Sequence, residues 1–125
     1  MRIDLSTIDR DQFILAEHTI VGETCTLVTP QHIGTKWTED NLHLRSSLWD
    51  SQGELISASW RKHFNWPEQP DIHPAPKDLD TMTLVEKIDG STLLISRYRG
   101  QLIIRTRGTV DATKMANGHE IEVFK

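Results

Sequence analysis

The clearest alternation of apolar and polar side chains runs from Leu42 to Trp49. Leu42, Leu44, Ser46 and Leu48 share one parity, and His43, Arg45, Ser47 and Trp49 the other. A period of two is what a strand with two distinct faces requires. The turn Asp50-Ser51-Gln52-Gly53 follows, and Glu54 to Trp60 continues as a second strand, so the stretch predicts a β-hairpin. A second hairpin is predicted from Ser91 to Tyr98 and Leu102 to Thr106, joined at Arg99-Gly100-Gln101. Thr24 to Val28 is short and β-branched and predicts a further strand, ended by Pro30. Two helices are expected. One covers residues 6–18 with Ser6 as its cap; the other, Asp111 to Ala116, is closed by Asn117-Gly118. Residues 67–78 hold four of the five prolines and predict an irregular surface loop. Glu120 to Phe124 reads as the start of a strand. The expected fold class is α+β, a mostly antiparallel sheet with few helices, in one domain spanning residues 1–125.

Composition narrows the classes without choosing among them. A chain of 125 residues with 37% hydrophobic and 26% charged side chains fits an ordinary folded, soluble domain. No apolar run approaches the roughly 20 residues of a membrane span. The start, MRIDLSTIDRDQ, is acidic where a secretory signal would be basic and then apolar. The single cysteine, Cys25, has no internal disulfide partner, so a cytoplasmic location is expected (host cytoplasm if viral). Its apolar, β-branched surroundings predict a buried, inert thiol. A net charge of −4 argues against a protein that coats nucleic acid generally. The charge is uneven: residues 1–80 carry 7 basic and 13 acidic side chains, or −6, and residues 81–125 carry 7 and 5, or +2. Arg97, Arg99 and Arg105 are read as a solvated face, and the four tryptophans, Trp37, Trp49, Trp60 and Trp66, mostly as core or loop anchors. The six histidines show no metal-ligand spacing, so no zinc site is expected.

The sharpest chemical feature is Glu86-Lys87-Ile88-Asp89-Gly90-Ser91, between the proline-rich loop and the second hairpin. Arg105-Thr106-Arg107-Gly108-Thr109 follows, with Arg107 20 positions after Lys87. Upstream lies the basic and aromatic cluster Arg61-Lys62-His63-Phe64-Asn65-Trp66, with Lys62 25 positions before Lys87.

In this order the motifs resemble those of the covalent nucleotidyltransferase superfamily, especially the ATP-dependent RNA ligases of the bacteriophage type. Lys87-Ile88-Asp89-Gly90-Ser91 resembles the motif whose lysine becomes lysyl–AMP. Arg107-Gly108-Thr109 resembles the motif after it, which approaches the ribose and phosphates. Lys62-His63-Phe64-Asn65 is similar to a Lys-Phe-Phe-Asn element, with His63 in place of one phenylalanine. Arg45 matches an arginine on the upstream strand that reaches the phosphates. The resemblance covers about residues 24–125 and only the front part of a catalytic domain. The later Glu-Gly pair and paired lysines are absent from the sequence. It implies a partial nucleotidyltransferase fold, Lys87 as the catalytic nucleophile, and ATP contacts from Arg45, Lys62, Phe64, Glu86, Gly90 and Arg107. It further implies Asp89 at a Mg²⁺ through water, ATP and Mg²⁺ as cofactors, and RNA ends as substrate.

The chemistry explains why such residues belong together. A lysine attacks phosphorus only as the neutral amine, which desolvation or neighbouring cations favour. Arg45, Lys62 and Arg107 are expected to supply those neighbours, converging with Lys87, and to neutralise the triphosphate. The chain by itself is expected not to complete ligation, because the later groups are missing. Two alternatives stay open: a non-catalytic nucleotide-binding or interaction module, and a DNA ligase or capping-type nucleotidyltransferase, which shares Lys-x-Asp-Gly.

Overall fold

In the computed structural model, which describes residues 1–31, 35–65, 68–72 and 78–114, the segment Thr24 to Val28 becomes the middle of the main sheet. Four strands run in chain order, each antiparallel to the next: β1 (Phe13–Ile20), β2 (Glu23–Pro30), β3 (Ser47–Trp49) and β4 (Leu55–Ala58). A separate two-stranded hairpin, β5 (Leu94–Tyr98) and β6 (Gln101–Arg105), packs with β5 alongside β4. The fold is therefore β-rich and mostly antiparallel. Among the described residues the only helical pieces are short 3₁₀ turns.

The middle of β2 and β3 is covered on both faces, by two separate clusters of apolar side chains. On one face Phe13, Val28, Leu44 and Trp49 form a core closed by Ile3, Leu5, Ile8, Leu15 and Trp37. On the other, Cys25, Leu27 and Leu48 pack under Ile20, Ile56, Tyr98 and Val110. Trp49 is fully buried, and its indole N–H donates to Ser47 Oγ at 2.8 Å, so its one polar atom is satisfied. Cys25 is fully buried, and burial, followed by the negative fields of Asp50 and Glu23, raises its thiol above the ordinary value.

Three readings of the sequence need correction. The helix over residues 6–18 does not form. Leu5–Thr7 is a 3₁₀ turn capped by Asp4, whose carboxylate accepts from the Ser6 N–H at 3.0 Å, and Phe13–Ile20 is β1. Eight rungs of pairing to β2, from Phe13↔Pro30 to Ile20↔Glu23, override the helix preference of Leu, Ala and Glu in that stretch. The alternating run from Leu42 is only half strand: Leu42–Arg45 is a 3₁₀ turn that buries Leu42 and Leu44, and β3 starts at Ser47. Arg105 does not share a solvated face with Arg97 and Arg99, because it is fully buried. Of the tryptophans, Trp60 is 80% exposed, outside the anchoring role, and Trp66 lies outside the described residues. The helix at 111–116 is described only as a 3₁₀ turn at Ala112–Lys114, and the strand at 120–124 lies outside the described residues. Among the described residues no helix is long and apolar enough to cross a membrane.

Candidate functional site

Three cations far apart in sequence meet at one cavity of about 530 Å³, lined by Arg45, Lys62 and Arg107 together with Ile14, Thr29, Thr35, Trp37 and Gly108. Each reaches it for a local reason. Arg45 ends the 3₁₀ turn that buries Leu42 and Leu44, so the two leucines hold its backbone. Lys62 follows β4 on a segment pinned by its own N–H, which donates to the Leu42 carbonyl at 2.8 Å. Arg107 leaves the end of β6, and its carbonyl accepts from Ser46 Oγ at 2.7 Å. The opposite wall is tied down by Gln12: its carbonyl accepts from Thr35 Oγ1 at 2.8 Å, and its side-chain oxygen accepts from the Lys36 N–H at 2.8 Å.

The wall is aromatic as well as cationic. The Trp37 ring stands edge-on to Phe13 at 5.8 Å, and the Lys62 ammonium lies 6.0 Å from the Trp37 ring and 5.1 Å from that of Phe64. Half-buried Phe64 thus supports Lys62. Burial, then the positive field of Arg107, pushes the Arg45 guanidinium below its ordinary value. No carboxylate is among the described residues lining the cavity. A half-buried Arg45 and an exposed Arg107 that repel one another, with no carboxylate in the described lining, favour an anion between them. Arg45 Nη1 also approaches His63 Nδ1 at 3.4 Å. The same nitrogen lies 3.4 Å from the Arg61 carbonyl, and since a guanidinium only donates and a carbonyl only accepts, one contact excludes the other.

The residues around Lys87 sit elsewhere. Glu86, Lys87, Asp89 and Gly90 are exposed on a segment without regular structure, and none of them lines the cavity. The Lys87 ammonium is 3.6 Å from Asp89 Oδ1, with the two side chains 91% and 99% exposed. Lys87 is not among the residues lining the cavity of Arg45, Lys62 and Arg107, so the expected convergence of all four is not the arrangement observed. Among the described residues no group of three or more His, Cys, Asp or Glu side chains is placed to hold a metal ion.

Two other cavities lack this character. The larger, about 760 Å³, lies between the end of β1 and β6, and its only titratable lining residues are His18 and Asp111. The other, about 700 Å³, lies on the far side of Lys62 and includes Glu39 among the cations Arg61 and Lys62.

Sequence reading missed Trp37 and Thr35 at the wall and the serine and arginine beneath it. A signal was present for the latter pair. Ser46 occupies the row of Leu42, Leu44 and Leu48, and Arg105 that of Ile103, so each is a polar residue on an inward-facing row. Comparison of the chain with protein-family models, with curated proteins and with solved structures finds no match.

Proposed function

We propose that this chain binds ATP at the cavity of Arg45, Lys62 and Arg107, as the front part of an ATP-dependent RNA ligase with a nucleotidyltransferase fold. The observation that carries the reading is three cations converging on one cavity with no carboxylate in its described lining, beside an aromatic wall. Cations so disposed match a triphosphate, and Trp37 offers a face to a base. Lys87 enters through its motif. Its neutral amine would attack the α-phosphorus, lose a proton, and form a P–N bond as the bond to the β-phosphate oxygen breaks and pyrophosphate leaves. AMP would then pass to an RNA 5′-phosphate, and a 3′-hydroxyl would displace it to seal the strand.

Mg²⁺ binds through one or two carboxylates, water and substrate phosphates rather than a closed protein cage; Asp89, which the motif assigns to it, lies outside the cavity, so a metal brought there would rest on phosphates and water. Bound there, it would neutralise phosphate charge.

A second reading, a non-catalytic nucleotide-binding module, is favoured by one observation: the exposed Lys87 stands outside the cavity. One pair of measurements separates the two. Calorimetric titration with ATP should show binding that weakens with salt and falls about tenfold in Arg107→Ala. Incubation with α-labelled ATP and Mg²⁺, in a chain that also carries the later motifs of the catalytic domain, should then label Lys87 alone, with no label in Lys87→Ala. Binding without label on any lysine selects the binding module. Absence of ATP binding refutes both readings.

A further inference from the structure

Beneath the cavity lies a buried cation that neither the motifs nor the proposed chemistry uses. Arg105, at the end of β6, is fully buried, yet no carboxylate among the described residues pairs with it. Its five N–H groups meet five oxygens instead. Nε donates to Ser57 Oγ at 2.9 Å; Nη1 donates to Ser46 Oγ at 2.8 Å and the Thr106 carbonyl at 3.0 Å; Nη2 donates to the carbonyls of Ser57 at 3.2 Å and Ser46 at 3.4 Å. A guanidinium has five donors in a fixed planar fork, so every donor is used and the geometry is set by the fork rather than by a flexible stem.

What the fork holds is the frame of the anion site. Ser46 adjoins Arg45 in sequence, and Thr106 adjoins Arg107. The Ser46 hydroxyl accepts from Arg105 and in turn donates to the Arg107 carbonyl at 2.7 Å. Arg105 thereby clamps the backbone of both cavity arginines, which are 62 positions apart in sequence, to Ser57 on β4. A buried cation with no counter-ion is costly. A lysine or a neutral side chain would not make the same five bonds.

We propose that Arg105 is a positioning residue for the anion site, fixing the separation of Arg45 and Arg107 through Ser46 and lending the cavity a further buried positive charge. Burial pushes its guanidinium down to about 10, which leaves it charged at neutral pH. The assignment rests on the ATP-binding reading above, and the test separates the two.

The experiment is a double-mutant cycle on the full chain, read as the dissociation constant for ATP by calorimetry. The variants are Arg105→Lys, which keeps charge and loses the fork, Ser46→Ala, which cuts the relay and leaves Arg105 in place, and Arg107→Ala, alone and combined with each. Arg105→Lys and Ser46→Ala should each weaken ATP binding about five- to tenfold. In the Arg107→Ala background each should change it less than about twofold, because the residue they position is gone. A general loss of folding would weaken binding equally in both backgrounds, and that result overturns the proposal. So does ATP binding as tight as wild type in Ser46→Ala, which keeps the test decisive if Arg105→Lys does not fold. Wild-type binding that Arg107→Ala weakens, with Ser46→Ala neutral, removes the positioning role and leaves the ATP site standing. No wild-type binding removes both.

Discussion

At the scale of single residues, titration is controlled by where the fold leaves water. His43 is half-buried, with its ring edge-on to Trp49 at 6.3 Å. Burial, then the positive field of Arg61, lowers its imidazole below the ordinary 6.5. The sign follows directly. Below pH 6.5 the unfolded chain takes up a proton that the folded chain refuses, so stability falls as pH drops through 6.5. The fall ends once the folded imidazole also titrates. Urea unfolding at pH 7.5, 6.5 and 5.5 should show a declining midpoint, and His43→Phe, which keeps a ring against Trp49, should flatten it. An equal decline in that variant would remove His43 as the cause. Asp4, whose carboxyl its bonds to Ser6 hold below the ordinary 3.8, acts in a separate, more acid range.

At the scale of elements, what was legible in the sequence depended on whether local preference and tertiary pairing agreed. They agree in β2, where the β-branched stretch Thr24 to Val28 buries Cys25, Leu27 and Val28, and in the β5–β6 hairpin, whose turn falls at Arg99 and Gly100. They disagree in β1. Leu15, Ala16 and Glu17 favour helix, and only pairing with β2 makes them a strand, so no window of local sequence contains the answer. The 3₁₀ turn at Leu42–Arg45 hid for another reason: it buries both Leu42 and Leu44, two positions apart, and so imitates the alternation of a strand. The resemblance pointed to the same three cations that the fold gathers. It could not reveal Ser46 and Arg105, which act on backbone rather than on a ligand. Two hairpin turns place a non-glycine residue at positive φ, Val21 and Arg99, and the β-branched Val21 is the more strained. The β1–β2 loop has Val21 at φ 52 and Gly22 at φ 75, as a two-residue turn with both positions left-handed requires. A β-branched residue is a poor occupant of that region, where asparagine is at home. Val21 is exposed, so Val21→Asn should stabilise the protein by about 1 kcal/mol, measured by thermal unfolding. No gain would mean that the valine side chain makes a compensating contact.

At the scale of the whole molecule, the cavity is a seam between two bodies of structure rather than a feature of either. The β1–β4 sheet brings Lys62 and Arg45, while Arg107 comes from the end of the β5–β6 hairpin. The hairpin's polar attachment to the sheet includes the Arg105 fork and the Ser46 bond. The sheet has its own two-sided core, to which the hairpin and the residues just beyond it add Tyr98 and Val110, with Ile103 the buried apolar side chain of β6. Separating the hairpin from the sheet therefore exposes far less apolar surface than unfolding the sheet, and the easier opening is the more frequent one. Amide hydrogen exchange should show β5 and β6 protected less than β2, and the two groups exchanging with different denaturant dependence. Identical protection in all strands would indicate a single cooperative unit. The consequence concerns occupancy. An anion lodged between Arg45 and Arg107 would bridge the seam, and its binding energy would act directly against the opening. Ligand would then slow exchange in the hairpin while leaving β2 nearly unchanged, so that the distribution of local stability, rather than any change of shape, would report that the site is filled.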